Sequence, residues 1–193
     1  MSIFDNLQPL AMPPHLEQTG VQQNESNDMS VYTDFLKQYE GLELTAYKPN
    51  HPDGTVEKHF TIGYGHFGED VEEGMTTTEA QADIQLVKDV NKRLPKIKEA
   101  IPGFSKMPID VRKKMLGSWF RGSLTPTGSE QTIKLINKGK YKEASKMFLK
   151  HQGYLKKWKP QKEKRLKENK DVSNSVAARM EETAAAILSL DTL

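Results

Sequence analysis

The stretch YEGLELTAYKPNHPDGTVEKHFTIGYGHFG, residues 39–68, carries the reading on which the rest of the chain turns. Upstream of it Val31, Phe35, Leu36 and Tyr39 recur at helical spacing, with Asp28 or Ser30 available as a cap. Gly41 stands where such a helix would end in a left-handed residue, which puts Glu40 in the last turn. Residues 44–49 then read as a strand, 50–55 as turn chemistry and 56–67 as a second strand. Alternation along that strand assigns Val56, Lys58, Phe60, Ile62 and Tyr64 to one face, and Glu57, His59, Thr61, Gly63 and Gly65 to the other. The second face is small and polar around Thr61, as the wall of a cleft requires. Gly63 and Gly65 fit either close approach of a ligand or a simple bend.

Glu40 is the residue out of place. The carbonyls at a helix C-terminus carry partial negative charge and disfavour an ionised carboxylate, so helices usually put Lys or Arg there. A glutamate kept in that position, beside Leu42 and Leu44, suits a general acid. It equally fits an exposed side chain at a helix end.

Outward from this stretch the chain divides unevenly. Residues 1–29 read as an extended arm without hydrophobic period, blocked from helix by Pro13 and Pro14. Residues 30–193 read as one domain. Thr76 and Glu79 form a capping box, and Ala80, Ile84, Val87 and Leu94 mark the apolar face of the helix that follows. Pro95 interrupts or ends it. A further helix is expected from about Pro108 to Gly122, and others near 129–138, 140–150 and 173–190. Trp119 and Phe120 read as core. The fold class is therefore α+β, a small hairpin lobe and a larger helical lobe.

Composition narrows the chemistry. The 193 residues include no cysteine, which excludes thiol catalysis, disulfides and cysteine metal sites. Mean hydropathy is −0.69, polar for a globular chain. No run approaches eighteen apolar residues and no basic segment precedes an apolar core at the N-terminus, so no membrane anchor or signal is expected. The net charge of +2 is unevenly spread. Residues 1–30 hold Asp5, Glu17, Glu25 and Asp28 and no Lys or Arg, whereas residues 134–170 are dense in lysine. That lysine run fits a solvated helical face or an anionic wall; nucleic acid is not expected, because few aromatics interleave with it.

Glu40-Gly41, Ala46-Tyr47-Lys48 and Thr61-Ile62-Gly63-Tyr64-Gly65-His66 resemble the catalytic segment of phage-type lysozymes. Weaker similarity continues through Ser118–Gly122 and Ile133–Tyr141 to Ala178–Glu181. The resemblance implies a lysozyme-like fold with two lobes flanking a cleft. It also implies a peptidoglycan hydrolase that cuts the β-1,4 bond between N-acetylmuramic acid and N-acetylglucosamine by acid/base catalysis, with no metal or organic cofactor. Carried over by position, Glu40 is the general acid and Thr61 helps place the attacking water. His66 closes the motif as hairpin support or substrate contact.

Two departures stand out. The family commonly has an aspartate nine residues after the Glu, where this chain has Pro49. The second carboxylate is then Glu57, which the alternation places on the Thr61 face, or Asp53, which also fits a plain Asp-Gly turn. Arg121 replaces the usual Asn-x-Gly region and reads as a substrate-binding residue for a carboxylate of muramic acid, a partner for Glu40, or a helix-end cation. The resemblance further implies synthesis in a host cytoplasm, then action on the periplasmic wall at lysis or carriage in the virion. The rival expectation is a lysozyme-fold virion protein of weak or no activity, docked on a tail or capsid component through residues 1–29.

Overall fold

The computed structural model describes residues 28–49 and 57–192. The proposed arm lies outside the described residues up to position 27, as does Asp53. Helix α1, residues 28–40, is already formed at Asp28, whose carboxylate takes both Nη atoms of Arg112. It stops where expected, at Gly41 with φ +71°.

The chain then forms a three-stranded antiparallel sheet in the order β1 (Glu43–Tyr47), β2 (Thr61–Gly63) and β3 (His66–Phe67). Glu43 faces Gly63 and Tyr47 faces Thr61, so β1 spends two more residues than β2 over the same span. The surplus bulges outward, and Thr45 bridges Thr76 instead.

The expected long second strand is not formed. Gly63 and Gly65 adopt φ +64° and +85°, and the chain reverses there so that Ile62 pairs with His66. Residues 57–60 lie before the strand in bends, so Glu57 does not share the pleat face of Thr61. Nor is the Thr61 side an open wall, because Thr61 is 6% exposed and Gly63 faces Ala82.

Helix α2 (Glu79–Ala100) is capped two residues later than expected: Thr78 and Gln81 exchange both bonds of the capping box. Thr76 is unavailable, since Ala46 N–H donates to Met75 O and Thr77 N–H to Leu44 O, which keeps residues 75–77 extended beside β1. Pro95 does not end the helix. An internal proline costs about 3 kcal/mol, but Val90 and Ile97 on either side are fully buried and hold it in place. The buried stripe is Ala82, Leu86, Val90 and Ile97; Ile84 and Val87, expected in the core, face outward.

Helix α2 passes through two apolar cores. The smaller gathers Tyr32, Leu36, Tyr64, Leu86, Val90 and Leu116 under the sheet. The larger is built from Ile97 onward by α3 (Ile109–Phe120), α4 (Pro126–Asn137), α5 (Tyr141–Phe148) and α7 (Val176–Ser189), with Trp119 on its border at 8% exposure. Between α5 and α7 lie a π-helical turn (Tyr154–Trp158) and α6 (Lys159–Lys167), a helix with no buried residue. The sequence announced α6 only as a lysine run, since it has no apolar period. No helix among the described residues is long and apolar enough to cross a membrane.

Gly63 carries two constraints where Gly41 carries one. A Cβ at Gly63 would sit 3.2 Å from the Cβ of Ala82 and would also meet the left-handed backbone penalty; at Gly41 nothing lies within 4 Å. Gly63→Ala should therefore cost more stability than Gly41→Ala, whose loss is the backbone term of about 1–2 kcal/mol. Urea unfolding of the two variants measures the difference.

Candidate active site

Glu40 ends α1 where the helix carbonyls converge, and the cation such an end favours arrives from a distance. Arg179, on the apolar side of α7, donates from Nη1 to Tyr39 O and to Glu40 Oε1, each at 3.1 Å. Arg121, the C-terminal cap of α3, donates from Nη1 to the same Oε1 at 3.5 Å. The three side chains are 18%, 12% and 13% exposed for Glu40, Arg179 and Arg121. Burial, joined by the charge of Arg179, pulls the Arg121 guanidinium down to about 10 against the opposing pull of Glu40, so it remains cationic at neutral pH.

Polar side chains support the pair from beneath. Ser118 and Thr183, both buried, share a 2.9 Å hydroxyl contact, and Arg121 Nη2 donates to Ser118 Oγ at 3.4 Å. Gly117 lets α1 close on α3, since a Cβ there would stand 3.0 Å from Phe35 Cε1. Both guanidinium groups address Oε1 of Glu40, and among the described residues Oε2 takes no hydrogen bond. Oε2 is the atom left to meet a ligand.

The sheet brings its own group to the same side. Tyr47 pairs with Thr61, and the Tyr47 hydroxyl is raised in pKa by burial and then by the charges of Glu43 and Glu40. Thr61 is almost entirely buried, and among the described residues its hydroxyl has no hydrogen-bond partner. Glu57 is half-buried and flanks the segment 50–56. A groove of about 650 Å³ runs between β3 and helices α2 and α3, edged by Phe67, Lys88, Lys92 and Trp119, and its lining includes neither Glu40 nor Thr61. A hollow of about 460 Å³, between the turn after β2 and the start of α2, includes Tyr64, Val71 and Ile84 but none of the Glu40 group.

Residues 37–168, more than half the chain, match the family model described as phage lysozyme. The chain belongs to the phage lysozyme family. It is 48% identical over 58 residues to an endolysin of Lactococcus phage c2, a match that covers 30% of this chain and 23% of that protein. It is 30% identical over 120 residues to an endolysin of Bacillus phage B103, covering 60% and 41%. The chain thus spans well under half the length of these curated relatives. Among solved structures, the muramidase domain of SpmX from Asticaccaulis excentricus aligns with TM-score 0.50 and 20% identity over 84% of this chain and 95% of that one. An endolysin from Escherichia coli O157:H7 phage FAHEc1 aligns with TM-score 0.50 and 22% identity over 83% and 90%. These two likenesses support the lysozyme-like fold.

Within this lysozyme-family frame Arg121 lies against Glu40, one of the three placements open from sequence. His66 lies elsewhere: its Nδ1 is 2.8 Å from Asp89 and its Nε2 3.0 Å from Asp70, and no hydrogen bond or ion pair links it to Glu40. It ties β3 to α2. The sequence alone assigns Arg179 no role. Its signal was a cation four residues before Thr183, on the stripe otherwise marked by Val176, Met180 and Ile187.

The Asp89 hydrogen bond raises the His66 pKa above its ordinary value of 6.5, opposed by burial and helped by Asp70. A raised pKa in the folded state means the protonated pair stabilises the fold fully below about 6.5 and is lost as pH rises through the folded value. Thermal unfolding followed from acidic to alkaline pH should show this decline in the native chain, and His66→Gln should flatten it.

Proposed function

We propose that this chain is a peptidoglycan hydrolase, a muramidase that cuts the β-1,4 bond between N-acetylmuramic acid and N-acetylglucosamine. The observation that carries the reading is Glu40, fixed by two guanidinium groups at Oε1 and open at Oε2, in a chain of the phage lysozyme family. Glu40 takes up a proton at Oε2 before the reaction and gives it to the glycosidic oxygen as the bond breaks. The carboxylate left behind falls between Arg121 and Arg179, which are already in place and need no rearrangement as that charge develops. The Thr61 hydroxyl, on β2 opposite Tyr47, holds the attacking water. Glu57, assigned from its place in the run Glu57-Lys58-His59-Phe60-Thr61 and not from a shared strand face, supplies the second carboxylate and takes a proton from that water, which corresponds to inversion at the anomeric carbon. Several relatives bear the name endolysin, which favours a role in host lysis.

The test is release of reducing muramic ends from purified peptidoglycan. The native chain releases them and Glu40→Gln abolishes release, while Glu57→Gln lowers turnover by a similar order. Arg121→Met, which removes one stabilising donor, lowers kcat by about a hundredfold. Full release by Glu40→Gln would overturn the assignment of the acid, and full release by Glu57→Gln that of the base.

A further inference from the structure

Helix α6 is the least explained element of the fold. It buries no residue of its own, and a helix polar on all sides needs an outside reason to exist. Two contacts fasten its segment to α7: the Tyr154 hydroxyl donates to Glu181 Oε1 at 2.8 Å, and Lys162 pairs with the other oxygen of Glu181. Beyond these the segment projects charge. Residues 156–170 contain eight basic residues against two acidic ones, a local +6 in a chain whose total is +2. Lys156, Lys164 and Lys167 are exposed and Lys157 is partly so; none of the four has a carboxylate partner among the described residues.

We propose that this face docks an anionic polymer of phosphodiester repeats attached to the cell wall, holding the enzyme on its substrate between cuts. Three observations choose this occupant. Seven of the eight cations are lysines, mobile point charges that can follow phosphates strung along a flexible chain, whereas the planar fork of arginine suits one anion held in a fixed geometry. The charges surround α6 rather than opposing an apolar face, and Leu155 and Leu166 are its only exposed large apolar residues, too few to seat in a lipid surface. The segment's one aromatic beyond the buried Tyr154 is Trp158, stacked on His151 at 5.8 Å and 13° and so engaged within the protein, which leaves no platform for nucleic-acid bases. The face uses none of the Glu40 group.

The inference rests on reading the chain as a wall hydrolase, and the experiment separates the two. Binding is measured with Glu40→Gln protein, so that cleavage does not intervene, with and without Lys156, Lys157, Lys164 and Lys167 all changed to Gln. The probes are a purified wall carrying phosphodiester polymer, the same wall stripped by hydrofluoric acid, duplex DNA, and vesicles rich in phosphatidylglycerol. The parent should bind the intact wall about tenfold more tightly than the stripped one. The Gln set should lose that difference, the same four changed to Arg should keep it, and salt raised from about 0.05 to about 0.5 M should erase it. In a Glu40 background, the Gln set should leave turnover of short soluble glycan fragments unchanged. Equal binding to intact and stripped walls, intact-wall binding unaltered by the Gln set, or a loss confined to DNA or to vesicles would each overturn the proposal. Soluble glycan left uncut by the Glu40 chain, with the intact-wall preference retained, would remove the hydrolase reading and leave the polymer site standing.

Discussion

One buried ion cluster organises the molecule. Glu40 closes the first helix of the small core, and the two guanidinium groups that hold it come from α3 and α7, in the large one. Taking charges out of water costs several kcal/mol each, and mutual attraction offsets that only when the geometry also satisfies the remaining polar atoms. Here it does so incompletely. Arg179 also serves the Tyr39 carbonyl and Arg121 also reaches Ser118, yet among the described residues the buried Nε atoms of both arginines have no partner. Both guanidinium groups meet Oε1 of Glu40, and among the described residues Oε2 takes no hydrogen bond.

The same constraint explains the rest of the packing. Gly117 is small because Phe35 of α1 must approach α3 closely enough for Arg121 to reach Glu40. Gly63 turns the chain under α2, so that β2 carries Thr61 inward opposite Tyr47, on the side that feels the charge of Glu40. His66 and Asp89 lock β3 to α2 beneath that arrangement. Glu40 and the two arginines that hold it are thus positioned by elements from both cores.

The sequence made local features legible. Glu40 before Gly41, the start of α3 at Pro108 and the Gly122 after it all depend on residues within a turn or two, and the structure has them where the spacing put them. What failed depended on distant partners. Thr76 and Thr78 both begin a capping pattern, and only the pairing of residues 75–77 with β1 decides between them. Pro95 stays inside α2 because two cores grip the helix on either side of it. The long second strand broke because Gly63 and Gly65 take positive φ, which alternation of side chains does not register. Arg179, 139 residues from Glu40, was invisible as a partner until the helices were packed.

The most direct test is a double-mutant cycle on stability with Glu40→Gln, Arg179→Met and the two combined. If the buried carboxylate and guanidinium hold the two cores together, the pair should show a coupling energy of about 1–3 kcal/mol. The double variant would then be more stable than the sum of the single losses predicts. Strict additivity would mean that the two side chains do not act on one another, and the site as described here would not exist.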